Sequence, residues 1–452
     1  MSGGTAAWVA APGQSLTGRL RVPGDKSVSH RSVMLGALAE GSTRITGFLE
    51  GEDTRATAAI LQRLGVRIES PAEGERIVHG VGLHGLQAAS GPLDCGNAGT
   101  GMRLLAGLLA GQAFESTLIG DASLSKRPMR RVIDPLARMG VRIDSEGGLP
   151  PLRIHAKNVL QGIDYECPVA SAQVKSAILL AGLYADGPTT VREPHPTRDY
   201  TERMLSAFGA DIDFAPGIAT LRPGRTLTAT SVDVPADFSS AAFFLVAASV
   251  IPGSHLVLER VGVNPRRTGL LEALRLMGAD LTVRPAGEQG GEPVADIEVR
   301  AARLRGAVIP EALVPDMIDE FPALFTAAAL AEGTTVVSGA AELRVKESDR
   351  IAVMAAGLRA LGAVIDETPD GAVITGSGFT ANAPATPADA RQGRLRGGQA
   401  DSRGDHRIAM SLAIAAQCAS GEVRIDDVAN VATSFPGFDA LARGVGFGLR
   451  LA

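Results

Sequence analysis

Hydrophobic and polar positions along this chain fall into a pattern that returns six times. One part of it is a leucine, three residues, a glycine, a small apolar residue, any residue, then isoleucine or leucine. It reads Leu61/Gly65/Val66/Ile68, Leu136/Gly140/Val141/Ile143, Leu205/Gly209/Ala210/Ile212, Leu274/Gly278/Ala279/Leu281 and Leu358/Gly362/Ala363/Ile365, with a blurred copy between Leu441 and Phe447. This spacing predicts an amphipathic helix closed by a C-cap glycine and followed at once by a strand. A second element alternates with it, a helix rich in small apolar residues that ends in glycine before a β-branched strand. Its copies span residues 30–41, 99–111, 172–187, 239–253, 319–333 and 405–421. AILLAGLYA, AAFFLVAAS and ALFTAAALA are apolar around the whole helix circumference, which predicts burial on every side, with polar residues gathered at the N-terminal ends.

Six such copies in 452 residues predict an α/β protein of two inside-out domains, each of three repeated units with buried helices and sheets outside. Residues 24–236 are expected to form one domain, and residues 1–23 with 237–452 the other. A doubly wound sheet places helices outside instead, and no strand here runs into a compact GxGxxG that opens a helix. The stretch 380–404, rich in Ala, Pro, Gly, Gln and Arg, reads as a polar, mobile surface excursion inside the sixth unit.

Composition narrows the function. A hydrophobic content of 45% suffices for two cores, and 49 acidic against 44 basic residues exclude a uniformly basic, nucleic-acid-binding surface. The opening MSGGTAAWVAAP lacks the basic flank and apolar centre of a signal peptide, and longer apolar runs are broken before about 18 residues. A cytoplasmic protein with no membrane partner is expected. Cys95, Cys167 and Cys418 are too scattered for a disulfide scaffold or zinc cluster and read as packed thiols. Neither HExxH, nor a calcium loop, nor a Walker motif occurs, so no metal and no cofactor are expected.

The chemistry gathers where the apolar helices begin. Lys26, Ser27, His30 and Arg31 mark the first, Asn97, Gly99, Thr100 and Arg103 the second, and Ser171, Gln173 and Lys175 the third. Asp319 and Glu320 mark the fifth, and Asp405, His406 and Arg407 the sixth. Helix N-termini favour anions. The other helix family adds Arg55, Arg127 with Arg130, Arg198, Arg266 with Arg267, and Arg350 near its starts. If equivalent ends face one cleft, the substrate carries several phosphate or carboxylate groups, which arginine engages bidentately. Plainer readings stand beside this one. Arg55, Arg266 and Arg267 read as surface or interdomain ion-pair residues, Ser27 as an N-cap, Gly99 as relief for a tight turn, and His30 equally as a core histidine. His406, between Asp405 and Arg407, is the stronger histidine.

Five blocks carry a family resemblance: residues 23–27 (PGDKS), 96–103 (GNAGTGMR), 126–129 (KRPM), 344–350 (RVKESDR) and 405–410 (DHRIAM). In this order, across nearly the whole chain, they resemble the EPSP synthase (3-phosphoshikimate 1-carboxyvinyltransferase) family. The resemblance implies two inside-out α/β domains closing on substrates in an interdomain cleft, and a cofactor-free monomer. The implied reaction moves the enolpyruvyl group of phosphoenolpyruvate onto the 5-hydroxyl of shikimate 3-phosphate. Carried over residue by residue, it implies that Lys26, Ser27 and Arg31 reach the shikimate phosphate or the space between substrates. Ser171, Gln173 and Arg198 hold shikimate 3-phosphate, with Ala172 where the family has a second serine. Asp319 and Lys346 contact the shikimate hydroxyls, while Gly99, Arg127, Arg350 and Arg407 surround phosphoenolpyruvate. Glu347 lies near its methylene carbon. Asp319 is the expected base at the hydroxyl, Glu347 or Lys26 serves proton transfer at C3, and His406 remains a catalytic candidate.

Ala172, the ASAQVKS run at 170–176, and Thr433 in place of a lysine before Ser434-Phe435-Pro436 resemble the class II branch. In this family glyphosate occupies the phosphoenolpyruvate region, and alanine at the position matching Gly99 goes with resistance. Gly99 therefore favours inhibition while the class II features oppose it, and intermediate sensitivity is expected. Two rivals remain. The related transferase acting on UDP-N-acetylglucosamine has Lys-Asn near its start and a reactive loop cysteine, whereas residues 121–127 here contain none. A non-catalytic phosphometabolite-binding repeat protein would gain nothing from Asp319 and Glu347, which repel an anionic ligand.

Overall fold

The computed structural model describes residues 6–156, 159–379 and 394–452. It divides into two compact units: Gly24–Pro235 with Glu288–Glu292, and Met1–Pro23, Ala236–Gly287 and Pro293–Ala452. Helices of the first unit are α1 (Lys26–Leu38), α2 (Glu52–Arg63), α3 (Gly99–Ala110), α4 (Arg130–Arg138), α5 (Ala172–Gly182) and α6 (Tyr200–Ala207). The second unit contains α7 (Phe238–Val250), α8 (Gly269–Leu276), the single turn α9 (Val314–Met317), α10 (Phe321–Leu330), α11 (Arg350–Ala360), α12 (His406–Gln417) and α13 (Phe438–Val445).

The leucine–glycine repeat is a Schellman motif written six times. Gly65, Gly140, Gly209, Gly278, Gly362 and Gly446 end α2, α4, α6, α8, α11 and α13, each with φ between 86° and 117°, where a Cβ is strained. The N–H of the following residue (Val66, Val141, Ala210, Ala279, Ala363, Phe447) donates to the carbonyl five residues back (Leu61, Leu136, Leu205, Leu274, Leu358, Ala442) at 2.9–3.0 Å. Each glycine N–H bonds the carbonyl three residues back, satisfying a second helix-end acceptor. Those five leucines are fully buried, so one residue both closes the helix and anchors it to the core. In the sixth copy the acceptor is Ala442, not Leu441, which is why that copy reads as blurred.

The other helix family forms the core of each unit. Every residue of α7 and α10 is buried. Helices α7, α10 and α12 contact one another, as α3 does α5 in the first unit. A Cβ on Gly107 of α3 would fall 2.1 Å from the carbonyl oxygen of Ala177, so that crossing requires glycine. Apart from α3, these helices stop short of the glycines that closed the sequence pattern. Helix α5 ends at Gly182 and α12 at Gln417, because Gly187 and Gly421 belong to the turns beyond.

Each unit carries three sheets among the described residues, five of the six four-stranded and built to one plan, while the sheet of Thr334–Val337, Gly371–Thr375 and Val364–Thr368 has the three antiparallel strands alone. Leu93–Asp94 runs parallel to Ser116–Ile119, which pairs antiparallel with Leu149–Ile154, itself antiparallel to Ile143–Glu146. The order recurs in Asp164–Glu166, Thr189–Arg192, Ile218–Arg222 and Asp211–Ala215. In the second unit Thr17–Leu20 pairs in parallel with His255–Gly262, so the chain's N-terminal stretch completes a sheet 235 residues or more further on. Strands such as Leu149–Ile154 bury alternate residues, turning one face to the helices and leaving the other accessible. Two α/β units of buried helices and flanking mixed sheets are the fold class expected from the repeat. Of the expected surface excursion, residues 380–393 lie outside the described residues, and Gly398–Asp401 is a strand pairing with Val423–Asp426. Among the described residues no helix is long and apolar enough to cross a membrane.

Candidate active site

In the first unit, the polar end of α1 starts at a close approach. A Cβ on Gly24 would fall 1.8 Å from the carbonyl oxygen of Gly47, so only glycine passes there. Asp25 then caps the helix, Oδ1 accepting the Val28 N–H at 2.9 Å. The N-cap is therefore Asp25 and not Ser27, which leaves the Ser27 hydroxyl for other work. Lys26 ion-pairs with Asp53. Arg31, 4% exposed, donates from Nε to Thr201 Oγ1 at 2.6 Å, from Nη1 to the Ser27 carbonyl at 3.0 Å and from Nη2 to Ser176 Oγ at 2.8 Å. Burial lowers its pKa to about 10 against the pull of Glu202 and Asp25, and the neighbouring charge of Arg198 pushes further down. His30 is a buried, neutral histidine: desolvation, then Lys26 and Arg31, hold its pKa well below the usual value. Its Nδ1 lies 2.8 Å from Thr57 Oγ1.

Helix α3 begins differently, because Ala98 occupies the cap position and no side chain closes that end. Arg127 lies over it, Nη2 donating to Asn97 Oδ1 at 2.7 Å, while Asn97 Nδ2 donates to Asp121 at 2.7 Å. A Cβ on Gly99 would meet Arg127 Nη1 at 2.9 Å. The backbone there is not left-handed, so Gly99 serves the close approach of a guanidinium and not a strained turn. Gln173, at the start of α5, donates to Thr100 Oγ1 at 2.8 Å and accepts from Arg103 Nη1 at 2.5 Å. Ser171 caps α5 through the Val174 N–H, and its own N–H donates to Glu193 Oε1 at 3.2 Å. Ala172 contributes no polar side-chain atom. Lys175 is buried between Glu193 at 2.7 Å and Glu202 at 2.8 Å. Burial would lower its pKa, but Glu202 and then Glu193 outweigh it and raise it.

The second unit builds its site around Asp319, in the turn before α10. Oδ2 accepts from Arg267 Nη1 at 3.1 Å, Oδ1 from Arg350 Nη1 at 3.4 Å, and the backbone carbonyl from Arg407 Nη1 at 3.3 Å. Arg350, its side chain 1% exposed, also donates to Asp405 Oδ2 at 2.9 Å and Glu347 Oε2 at 2.6 Å. Burial alone would lower its pKa; Asp405, then Glu347 and Asp319, override it upward. Asp405 caps α12 through the Arg407 N–H and accepts from Ser348 Oγ, and Asp349 caps α11. Desolvation of the Lys346 ammonium lowers its pKa, with Asp319 and Glu342 opposing. His406 is buried as the first residue of α12, and Thr433 is buried with its hydroxyl on the Asn430 carbonyl at 2.7 Å.

Within the first unit Lys26, Ser27 and Arg31 lie about the start of α1, with the charge of Arg198 acting on Arg31, while Gly99, Arg127, Ser171 and Gln173 lie about the starts of α3 and α5; the set expected for phosphoenolpyruvate is divided, since Arg350 and Arg407 belong to the second unit. Asp319, Lys346, Glu347, Arg350 and Arg407 meet about α10 to α12. Two expectations change. Helices α1, α5, α7, α11 and α12 already cap a first-turn N–H with their own Asp or Ser, so among the buried helices the ends free of a side-chain cap are those of α3 and α10. Arg350 is also the hub of three carboxylates. Arg55 pairs with Glu50, and Arg266 with Asp316, as ion-pair residues should; Arg267 does too, but its partners include Asp319, Ser239 and Asp237. Sequence reasoning passed over Asp53, Glu193 and Glu202. The signal for the two glutamates was Lys175, a lysine facing the core of an apolar helix, which must have buried carboxylate partners. Cys95, Cys167 and Cys418 are buried, and desolvation pushes each thiol up to about 12, the opposite of a reactive cysteine. Among the described residues no group of three His, Cys, Asp or Glu could hold a metal ion.

The sequence profile of EPSP synthase (3-phosphoshikimate 1-carboxyvinyltransferase) matches residues 10–441. The chain is 68% identical over 450 residues to the 3-phosphoshikimate 1-carboxyvinyltransferase of Xanthomonas campestris pv. campestris strain B100, covering 99% of both chains. It is 66% identical over 453 residues to that of Xanthomonas oryzae pv. oryzae strain PXO99A, covering 100% of this chain and 99% of the other. The solved EPSP synthase of Acinetobacter baumannii superposes with a TM-score of 0.88 at 51% identity, covering 99% of this chain and 100% of that one. With its repeat, its fold and nearly its whole length matched, the chain belongs to the EPSP synthase family.

Proposed function

We propose that the two helix-end clusters carry out the family's reaction, the transfer of the enolpyruvyl group of phosphoenolpyruvate to the 5-hydroxyl of shikimate 3-phosphate. Family membership makes the chain a transferase of the shikimate pathway. The observation that carries the assignment of residues is the start of α3, an uncapped helix end under Arg127 with no Cβ at Gly99, which suits a small dianion. Phosphoenolpyruvate binds there, and Arg350 and Arg407 are the further cations that the family resemblance assigns to it. Ser171, Gln173 and Arg198, with Lys26 and Ser27, take the shikimate 3-phosphate. Arg31, which spends one N–H of each nitrogen on protein, fixes the Ser27 backbone and keeps its charge and a second N–H on each Nη for the substrate.

The 5-hydroxyl adds to C2 of phosphoenolpyruvate as C3 gains a proton; the tetrahedral intermediate then loses phosphate as C3 gives that proton up. Asp319 accepts the hydroxyl proton, its oxygens aimed by Arg267 and Arg350. Glu347 or Lys26 exchanges the proton at C3, and Lys346 holds the acceptor's hydroxyls. Preorganised cations stabilise the shifting negative charge, and no covalent nucleophile or metal is used. The chain works as a cytoplasmic monomer, as the resemblance implies, and is of the class II type on the strength of Ala172, residues 170–176 and Thr433. Steady-state kinetics of Arg198→Ala and Asp319→Asn test the assignment. R198A should raise KM for shikimate 3-phosphate, and D319N should lower kcat by about 100-fold or more, the range of general-base catalysis. Unchanged constants in either folded variant would remove that residue from the site.

A further inference from the structure

Glu193 lies at the end of the strand Thr189–Arg192, its side chain fully buried, and takes three donors from three places. Oε1 accepts the Ser171 N–H at 3.2 Å and the Thr197 hydroxyl at 2.6 Å, and Oε2 accepts the Lys175 ammonium at 2.7 Å. Ser171 caps α5 and stands two residues before Gln173; Thr197 immediately precedes Arg198 in the loop that leads to α6. Lys175 continues the chain of contacts to Glu202 on α6 at 2.8 Å. One carboxylate therefore ties the start of α5 to the loop carrying Arg198, and the buried lysine ties both to α6.

We infer that Glu193 is a positioning residue for the acceptor, setting the spacing between the Ser171–Gln173 helix start and the Arg198 loop. The inference rests on the proposed assignment of Ser171, Gln173 and Arg198 to shikimate 3-phosphate. A carboxylate is required because all three partners are donors. Glutamine is isosteric but has only one acceptor oxygen, and its NH2 must face either the Lys175 ammonium or the Ser171 N–H. Either orientation places donor against donor in a buried site, so one tether opens. The donor side of the reaction is reached less directly, since neither Gly99 nor Arg127 bonds to Glu193 and the link to α3 runs through Gln173 to Thr100 and Arg103.

The test is full steady-state kinetics of Glu193→Gln and of Thr197→Val, which removes a single hydroxyl tether without disturbing Lys175. E193Q should raise KM for shikimate 3-phosphate about tenfold, equivalent to about 1.4 kcal/mol of binding. KM for phosphoenolpyruvate should stay within about twofold and kcat within about threefold, changes too small to register as a lost contact. T197V should move the same constant in the same direction by a smaller factor. A general loss of structure would instead raise both KM values together or lower the active fraction, and that outcome overturns the inference, as does an unchanged acceptor KM in folded T197V. Ser171→Ala and Arg198→Ala separate the two levels. If they raise the acceptor KM while E193Q and T197V do not, the positioning role fails alone; if they too change nothing, the acceptor assignment beneath it fails.

Discussion

Gly99→Ala places one methyl group where the structure leaves least room. Its Cβ would sit 2.9 Å from Arg127 Nη1, closer than real Cβ contacts come, while Leu124 Cδ1 at 3.6 Å is ordinary contact. The clash falls on the far end of a flexible side chain, so Arg127 moves and α3 stays. Because Gly99 opens α3 without a left-handed φ, alanine there should also raise stability, by about 0.4–1 kcal/mol, through a less flexible unfolded chain. Arg127 Nη2 donates to Asn97 at 2.7 Å and weakly to Ser123 at 3.4 Å, so displacement of the guanidinium disturbs its aim at an anion. A charge-assisted hydrogen bond contributes about 1.5–3 kcal/mol. Partial loss corresponds to the lower end, roughly a tenfold rise in KM for phosphoenolpyruvate at about 1.4 kcal/mol per decade. Glyphosate, the longer anion, should lose more affinity than phosphoenolpyruvate does. The assay is phosphate release at saturating shikimate 3-phosphate with phosphoenolpyruvate varied at several glyphosate concentrations, alongside thermal melting. A G99A protein that melts no lower, yet keeps both KM and inhibitor affinity, refutes the placement of an anion against this wall.

Two further outcomes follow from the charges. Activity should survive exhaustive chelation and assay in metal-free buffer if, as proposed, Arg127, Arg407 and Lys26 supply the positive potential; a requirement for restored magnesium or zinc would contradict that. Lys346→Met should lower activity while stabilising the fold near neutral pH. The folded pKa of Lys346 lies below its unfolded value, so burying the ammonium costs stability at every pH below the folded pKa, and the cost fades as pH rises toward about 10.4. The melting advantage of K346M should therefore be largest near pH 7 and shrink as pH rises through the lowered folded pKa toward about 10.4; a constant difference, or a loss, would show that Asp319 and Glu342 more than compensate the burial.

The fold was legible because its signals are local. A leucine that must be buried, a glycine that must take positive φ and a small residue whose N–H returns to the leucine's carbonyl occupy six consecutive positions, so each Schellman end is readable without knowing what it packs against. Helix starts were readable for the same reason, although Asp25 shows that the capping residue can be two places before Ser27, the residue that catches the eye. The site was legible only as a set of residue types. That Arg350 would be enclosed by Asp319, Glu347 and Asp405 depends on partners up to 55 residues away that only the repeat geometry brings together. Lys175 and its two glutamates were hidden likewise, since a lysine near a helix start reads equally well as an anion ligand. Arg267 was read correctly as an ion-pair residue, yet the sequence could not say that its partner is Asp319.

The central claim is that these clusters recognise phosphoenolpyruvate and shikimate 3-phosphate together. The measurement that tests it most directly is phosphate release from phosphoenolpyruvate by the purified protein, offered shikimate 3-phosphate, shikimate or UDP-N-acetylglucosamine. Shikimate 3-phosphate should support turnover. Shikimate should be poorer by several orders of magnitude in kcat/KM, because without its phosphate the donors around Ser171, Gln173 and Arg198 go unsatisfied, a defect that reaches about 10⁴-fold in sites built for hydrogen bonding. UDP-N-acetylglucosamine should support none. Comparable efficiency with shikimate and its 3-phosphate, or turnover with the sugar nucleotide alone, would contradict the account.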